Sequence, residues 1–110
     1  YLVPDLKEKI KSSKKKIILQ NLCHYRDFIS MKDISKIIFC LYNKKFKGII
    51  NIASGKAIYL KDIAIYISKH YKKEVEFKDN IKKTYLVANI SKLKRIYKKN
   101  LIKNFNELMF

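Results

Sequence analysis

The stretch HYRDFISMKDISKIIFCLY, residues 24–42, sets an adjacent Arg26-Asp27 pair ahead of a short apolar piece, Phe28-Ile29, and then turns helical. Ser30 followed by Asp33 is a variant of the capping box that opens a helix. Ile34, Ile37, Ile38 and Leu41 keep the i, i+3, i+4, i+7 spacing of one helix face, so a helix is expected over about Lys32 to Asn43. Lys44 and Lys45 then place cations at the negative end of the helix dipole, and Gly48 permits a turn. The arginine stands out because the other positive charge is almost all lysine. Arg26 and Arg95 are the only arginines among 26 basic residues.

Upstream, Leu6 and Ile10 lie four apart behind Pro4, a residue suited to a first helical turn, and predict a helix to about Ser12. Ile17-Ile18-Leu19 reads as a short buried strand, and Gln20 to Tyr25 as a loop. Phe28-Ile29 is a second extended piece. Downstream, IINIAS (Ile49 to Ser54) reads as a strand apolar enough to be covered on both faces, closed by Gly55. Leu60, Ile63, Ala64, Ile67 and Tyr71 mark an amphipathic helix over about Lys61 to Tyr71. Both central helices are expected to pack on IINIAS. Val75 to Phe77 is a short strand and Tyr85 to Ile90 an extended piece. Ser91 is expected to cap a short helix holding Leu93 and Ile96. A last helix from about Asn104 carries Phe105, Leu108 and Met109 on its apolar side.

Strands alternating with helices give an α/β (or α+β) class: a small mixed domain of short strands and four to five helices. A complete doubly wound sheet needs about five or six strands. The sheet is therefore small, or it belongs to a larger one. In the second case apolar surface is left uncovered, which drives association, and a homo-oligomer is expected.

A chain of 110 residues suits one domain over residues 1–110. Apolar residues make up 48%, which excludes a disordered chain. No apolar run approaches the roughly 20 residues of a membrane helix, so no membrane partner is expected. The opening YLVPDLKEK does not have the pattern of a signal peptide; without an initiator methionine, the chain is expected to be a processed or excised segment. Cys23 and Cys40 form no Cys-x-x-Cys pair, and zinc needs about four ligands. No metal site is expected, Cys40 reads as a buried reduced thiol, and a cytoplasmic location fits. The net charge is +17. Such a charge suits nucleic acid, and Tyr71-Lys72-Lys73 or Tyr97-Lys98-Lys99 could stack on bases; the same tyrosines could simply cap amphipathic helices. Against specific nucleic-acid binding, the lysines spread over every element, and arginine, the usual reader of base edges, is scarce. Nucleic acid is therefore not the expected partner, although salt-sensitive adhesion to polyanions follows from the charge alone. A standalone basic nucleic-acid-binding or interaction module stays as the alternative reading.

Gly48 and Gly55, the only glycines, cannot build a phosphate-binding glycine loop, and no Gly-x-Ser-x-Gly elbow exists. His24 and His70 are far apart, without a nucleophile partner. His24 is a candidate ligand contact beside Tyr25 and Arg26, or a loop histidine; His70 reads as a solvated residue or a helix cap. No catalytic residue is assigned.

The order of the pieces resembles the C-terminal, substrate-binding portion of the extended short-chain dehydrogenase/reductases, the NAD-dependent nucleotide-sugar epimerases and dehydratases. Arg26-Asp27-Phe28-Ile29 with Asp33 matches the family's Arg-Asp-Phe-Ile and following aspartate. Ile50-Asn51-Ile52-Ala53-Ser54-Gly55 matches its Tyr-Asn-Ile/Val-Gly-Ser-Gly, and Asn89-Ile90-Ser91-Lys92 its Asp-Ile/Thr-Ser-Lys. The resemblance runs from about Val3 to Met109. It implies that Arg26 binds the diphosphate of a nucleotide-diphosphate-sugar, for which a planar guanidinium is suited; the alternative is a salt bridge to Asp27 or Asp33. It places His24 and Tyr25 near the nucleotide, and Lys82 or Lys83 where many members carry a second phosphate-binding arginine. Here the loop before Arg26 has no glycine, and Ile96-Tyr97 replaces the usual Gly-Trp. The family's nicotinamide-binding glycine fingerprint and Tyr-x-x-x-Lys pair lie upstream of this region. In this chain Tyr66 is followed four residues later by His70, and Tyr42 by Phe46. The resemblance thus implies a parent enzyme that uses NAD or NADP in a Rossmann domain outside this chain, with no cofactor bound and no turnover by this portion alone.

Overall fold

The computed structural model describes residues 2–110. It is a mixed α/β arrangement of five helices and five short strands. In chain order these are α1 (Leu2–Ser12), β1 (Ile17–Gln20), β2 (His24–Asp27), α2 (Met31–Asn43), β3 (Ala57–Tyr59), α3 (Leu60–His70), β4 (Val75–Lys78), β5 (Thr84–Leu86), α4 (Ser91–Ile96) and α5 (Phe105–Met109). Strands β1 and β4 pair in parallel, Ile17 opposite Val75 and Leu19 opposite Phe77. A second sheet has the order β3-β2-β5, antiparallel between β2 and β3 and parallel between β2 and β5.

Two apolar clusters hold these pieces. In the first, Leu6 and Ile10 of α1, Ile17 and Leu19 of β1, and Ile63, Ala64 and Ile67 of α3 bury one another, with Ile58 and Met109 closing the ends. In the second, Ile37 of α2 packs with Ile90, Leu93 and Tyr97, and with Ile50 and Ile52 of the connection between α2 and β3. Burial in this second cluster pushes the Tyr97 phenol above its ordinary pKa, and the nearby Asp33 and Cys40 act in the same direction. Side-by-side clusters give a body of 52 × 28 × 19 Å.

Several sequence expectations hold closely. Ser30 caps α2, its Oγ accepting from the Asp33 amide at 3.0 Å. The Asp33 side chain, 2% exposed, accepts from the amide of Ile102 at 2.7 Å, which ties the C-terminal segment to the start of α2. Asn104 caps α5, its side chain accepting from the Asn106 amide.

Others are corrected. The strand before α2 is His24–Asp27, not Phe28-Ile29, so residues read as loop carry the sheet. IINIAS joins no sheet among the described residues. A strand apolar on both faces needs a hydrogen-bonded neighbour along its edge, and none pairs with it; Ile50 and Ile52 pack into the second cluster, while Ile49 is 87% exposed. Side chains tie the segment down instead: Asn51 Nδ2 donates to the Asn89 carbonyl at 3.2 Å, and Lys92 Nζ to the Ile49 carbonyl at 2.7 Å. Helix α2 shares a cluster with this segment, but α3 belongs to the first cluster and packs against α1, β2, β3 and β4. Ser91 is the first residue of α4 and not its cap, the N-cap position being Ile90 without a side-chain cap bond; the Ser91 amide and hydroxyl both donate to Asn89 Oδ1. Cys40 is half-buried instead of buried, and both cysteines are free. His70, at the end of α3, stacks on Phe110 with ring centroids 4.1 Å apart.

Candidate functional site

The β3-β2-β5 sheet separates the candidate residues onto two faces. Side chains alternate along a strand, and residues opposite each other on neighbouring strands share a face. Arg26 lies opposite Ile58 on one side and Leu86 on the other, and His24 opposite Thr84. These residues form one face. Tyr25 lies opposite Tyr59 and Tyr85, and these three form the other.

On the first face, Arg26 Nη1 donates to the Tyr25 carbonyl at 2.7 Å, and Nη2 donates to Thr84 Oγ1 at 2.9 Å. No carboxylate among the described residues pairs with it. The salt bridges to Asp27 or Asp33, held open from sequence, are not formed. Asp33 faces Ile102. Asp27 receives the Ser54 amide at 2.9 Å and the Ser54 hydroxyl at 2.6 Å on one oxygen, and the Gly55 amide at 2.8 Å on the other. An arginine presents five N–H donors. Two are occupied by neutral acceptors, so the guanidinium is held in place without a carboxylate partner and with three donors unoccupied among the described residues. His24, 8% exposed, lies beside it with Nδ1 2.8 Å from Thr84 Oγ1.

On the opposite face, the Tyr25 and Tyr59 rings stack with centroids 4.8 Å apart, and Tyr85 extends the row at 5.6 Å from Tyr25. The Lys83 ammonium lies 5.0 Å from the Tyr25 ring and 5.4 Å from that of Tyr59, within cation–π range. Lys61, at the start of α3, bonds Asp79, and this contact, opposed by desolvation, raises its pKa. Of the five candidates named from sequence, His24 and Arg26 therefore come together, Tyr25 and Lys83 come together behind them, and Lys82 is an exposed residue of the connection between β4 and β5.

Sequence reasoning missed Thr84, which touches both Arg26 and His24; pairing register, invisible in a lone three-residue strand, brings it there. It also missed a cavity of about 510 Å³ between the two clusters, lined by Ser54, Gly55, Ile58, Ile90, Tyr97 and Leu101 among others and not by Arg26. Among the described residues no group of three or more His, Cys, Asp or Glu is placed to hold a metal, and no helix is long and apolar enough to cross a membrane.

No family model matches the sequence, and no curated protein does so. Solved structures do. RMD from Pseudomonas aeruginosa, complexed with NADPH, superposes with a TM-score of 0.81 at 10% identity over 99% of this chain and 39% of its own. MlghC, a GDP-mannoheptose C4 reductase from Campylobacter jejuni with NADP bound, gives 0.78 at 18% identity over 98% of this chain and 43% of its own. A dTDP-glucose 4,6-dehydratase from Bacillus anthracis in complex with NAD gives 0.76 at 18% identity over 99% and 36%. This chain has the fold of a part of each of these structures. It spans about two-fifths of the length of the structures it matches. The resemblance read from Arg26-Asp27-Phe28-Ile29 and the motifs after it is thus matched at the level of the fold. The structure also joins two of those motifs: Asp27 of the first is hydrogen bonded to Ser54 and Gly55 of the second.

Proposed function

We propose that this chain is the C-terminal, substrate-binding domain of an NAD(P)-dependent nucleotide-sugar epimerase, dehydratase or reductase, and that it positions a nucleotide-diphosphate-sugar. The observation that carries the reading is Arg26: a guanidinium fixed by two neutral acceptors, with no carboxylate partner, on a sheet of this fold. A diphosphate supplies the charge that the protein withholds, and charge-assisted, paired hydrogen bonds to phosphate suit a guanidinium better than an ammonium. Holding the substrate this way serves a reaction whose difficult steps belong to the nicotinamide cofactor of the parent enzyme.

The residues of this chain do not fit the cofactor itself. Gly48 and Gly55 are the only glycines, and the space above Gly55 is filled by Ile90, whose Cγ1 would lie 2.6 Å from an added Cβ. Gly55 is a packing glycine, not a cradle for a pyrophosphate. No reaction step is assigned to this chain alone, and cofactor binding and turnover are proposed to need the rest of the parent protein.

The alternative, a basic module for single-stranded nucleic acid, has one feature in its favour: the Tyr59-Tyr25-Tyr85 row with Lys83 above it, since aromatic rings beside cations stack bases. Calorimetric titration separates the two. Wild type, Arg26→Ala and Arg26→Lys are titrated with dTDP-glucose, GDP-mannose and UDP-glucose, and with a twelve-nucleotide oligothymidylate. The proposal expects Arg26→Ala to weaken the preferred sugar nucleotide by roughly ten- to a hundredfold, as for a lost charge-assisted hydrogen bond of about 1.5–3 kcal/mol. Arg26→Lys should recover only part. The oligonucleotide should respond little to one charge among 26 and mainly to salt. Unchanged sugar-nucleotide affinity in a folded Arg26→Ala protein, or turnover of a sugar nucleotide with NAD by this chain alone, defeats the reading.

A further inference from the structure

The neighbours of Arg26 point to a second residue that determines how it meets an anion. Thr84 opens β5 and contacts Arg26 and His24 at once. Its amide donates to His24 Nδ1 at 3.1 Å, and its Oγ1 lies 2.8 Å from the same nitrogen. A backbone N–H can only donate. Nδ1 is therefore the acceptor nitrogen of a neutral imidazole, with the ring proton on Nε2. The Thr84 hydroxyl has a single proton, and Arg26 Nη2 needs a lone pair from the same oxygen at 2.9 Å. Both hydroxyl contacts are met when its proton points to Nδ1, sharing that nitrogen's single lone pair with the Thr84 amide in a three-centre bond, and an oxygen lone pair points to Arg26. His24 is buried, so its ring is held by packing as well as by these bonds.

We propose that Thr84 is the positioning residue for Arg26. Its hydroxyl, oriented by the neutral His24 ring, fixes the guanidinium so that the remaining donors face a diphosphate as a set. The inference rests on the reading of Arg26 as the anion-binding group, and it adds a specific claim: affinity depends on a hydroxyl that need not touch the ligand. The Tyr25 carbonyl holds Nη1, but one contact leaves the planar group free to swing about it. A second contact on Nη2 removes that freedom before the ligand arrives, and preorganisation of this kind raises affinity without adding a ligand contact.

The test uses this chain, inorganic pyrophosphate and dTDP-glucose as probes, and the variants Thr84→Val, Thr84→Ser, Arg26→Ala and the double variant Arg26→Ala/Thr84→Val. Valine keeps the shape and removes the hydroxyl; serine keeps the hydroxyl. Thr84→Val is expected to weaken both probes by about fivefold, the scale of one neutral hydrogen bond, and Thr84→Ser to stay within about twofold of wild type. The double variant should bind no more weakly than Arg26→Ala, because Thr84 acts only through Arg26. If Arg26→Ala binds both probes as wild type does, the functional reading fails. If Arg26→Ala weakens binding and Thr84→Val does not, that reading stands and the positioning role is overturned. It is overturned equally if Thr84→Ser loses as much affinity as Thr84→Val, or if the double variant shows additive losses.

Discussion

Removing the Asp27 carboxylate is expected to loosen the joint between β2 and the segment before β3 far more than any ordinary half-buried aspartate would. Asp27 accepts three hydrogen bonds, two from Ser54 and one from the Gly55 amide, at 2.6–2.9 Å. A hydrogen bond to a charged group contributes about 1.5–3 kcal/mol, so a simple sum would exceed 4 kcal/mol on that scale. Two facts reduce it. Asp27 is only half-buried and Gly55 is exposed, so water replaces part of what is lost, and the three bonds share one carboxylate and are not additive. An Asp27→Ala loss of about 2–3 kcal/mol follows, which in a domain of this size lowers Tm by roughly 10 °C. Asp27→Asn should lose about half as much, because its amide oxygen can keep the Ser54 bonds while its NH2 opposes the Gly55 N–H. Ser54→Ala removes the hydroxyl's bond to Asp27 and its acceptance from the Lys56 amide at 3.1 Å, leaves the Ser54 amide bond, and should cost about 1–2 kcal/mol. Urea unfolding of the three variants, with an Asp27/Ser54 double-mutant cycle, measures each step. An Asp27→Ala protein within about 0.5 kcal/mol of wild type, the range of an uninvolved surface change, would refute the clamp.

Gly55→Ala is expected to destabilise the chain by at least about 2 kcal/mol, since φ is +72° and the new Cβ would lie 2.6 Å from Ile90 Cγ1; thermal melts check it, with Ile90→Ala in the same protein expected to relieve the clash but not the backbone strain. Helix α2 carries a second apolar stripe on its outer side, where Met31, Ile38 and Tyr42 are exposed beside Phe39, so the chain by itself should self-associate, and Ile38→Glu/Tyr42→Lys should shift it toward monomer in sedimentation velocity runs, a compact wild-type monomer at high concentration counting against the idea.

Helices were legible where a period and a cap coincided. Ile34, Ile37, Ile38 and Leu41 behind Ser30, or Ile63, Ala64 and Ile67 in α3, announce a buried face, although Ile38 lies outside it, 53% exposed. Strands were legible only where burial was one-sided and apolar, as in Ile17 and Leu19 of β1. Strand β2 was hidden because its sequence, His24-Tyr25-Arg26-Asp27, holds no aliphatic residue; its place is fixed by register with β3 and β5, a long-range fact. IINIAS failed in the opposite sense. It has the composition of a strand, yet pairing depends on a neighbour, and composition cannot announce whether the neighbour is present. Arg26 could be singled out by residue type and resemblance. Thr84 could not, because a threonine followed by Tyr85 and Leu86 is ordinary until the register sets it opposite His24.

The Arg26-Asp27 pair shows why adjacency in sequence misleads about interaction. Opposite charges next to each other invite a salt bridge, and that was one reading of the pair. In a strand, consecutive side chains leave on opposite faces, so β2 separates them by construction. Asp27 is then free to serve the fold, receiving Ser54 and Gly55 from the motif that follows α2. Arg26 stays on the other face with its charge uncancelled, braced by Thr84 and the Tyr25 carbonyl. Had the same two residues fallen in a loose loop, the carboxylate could have folded back onto the guanidinium and neutralised it. The four-residue strand thus does two things with two neighbours: it uses the anion to join the motifs and keeps the cation on the opposite face, away from that carboxylate.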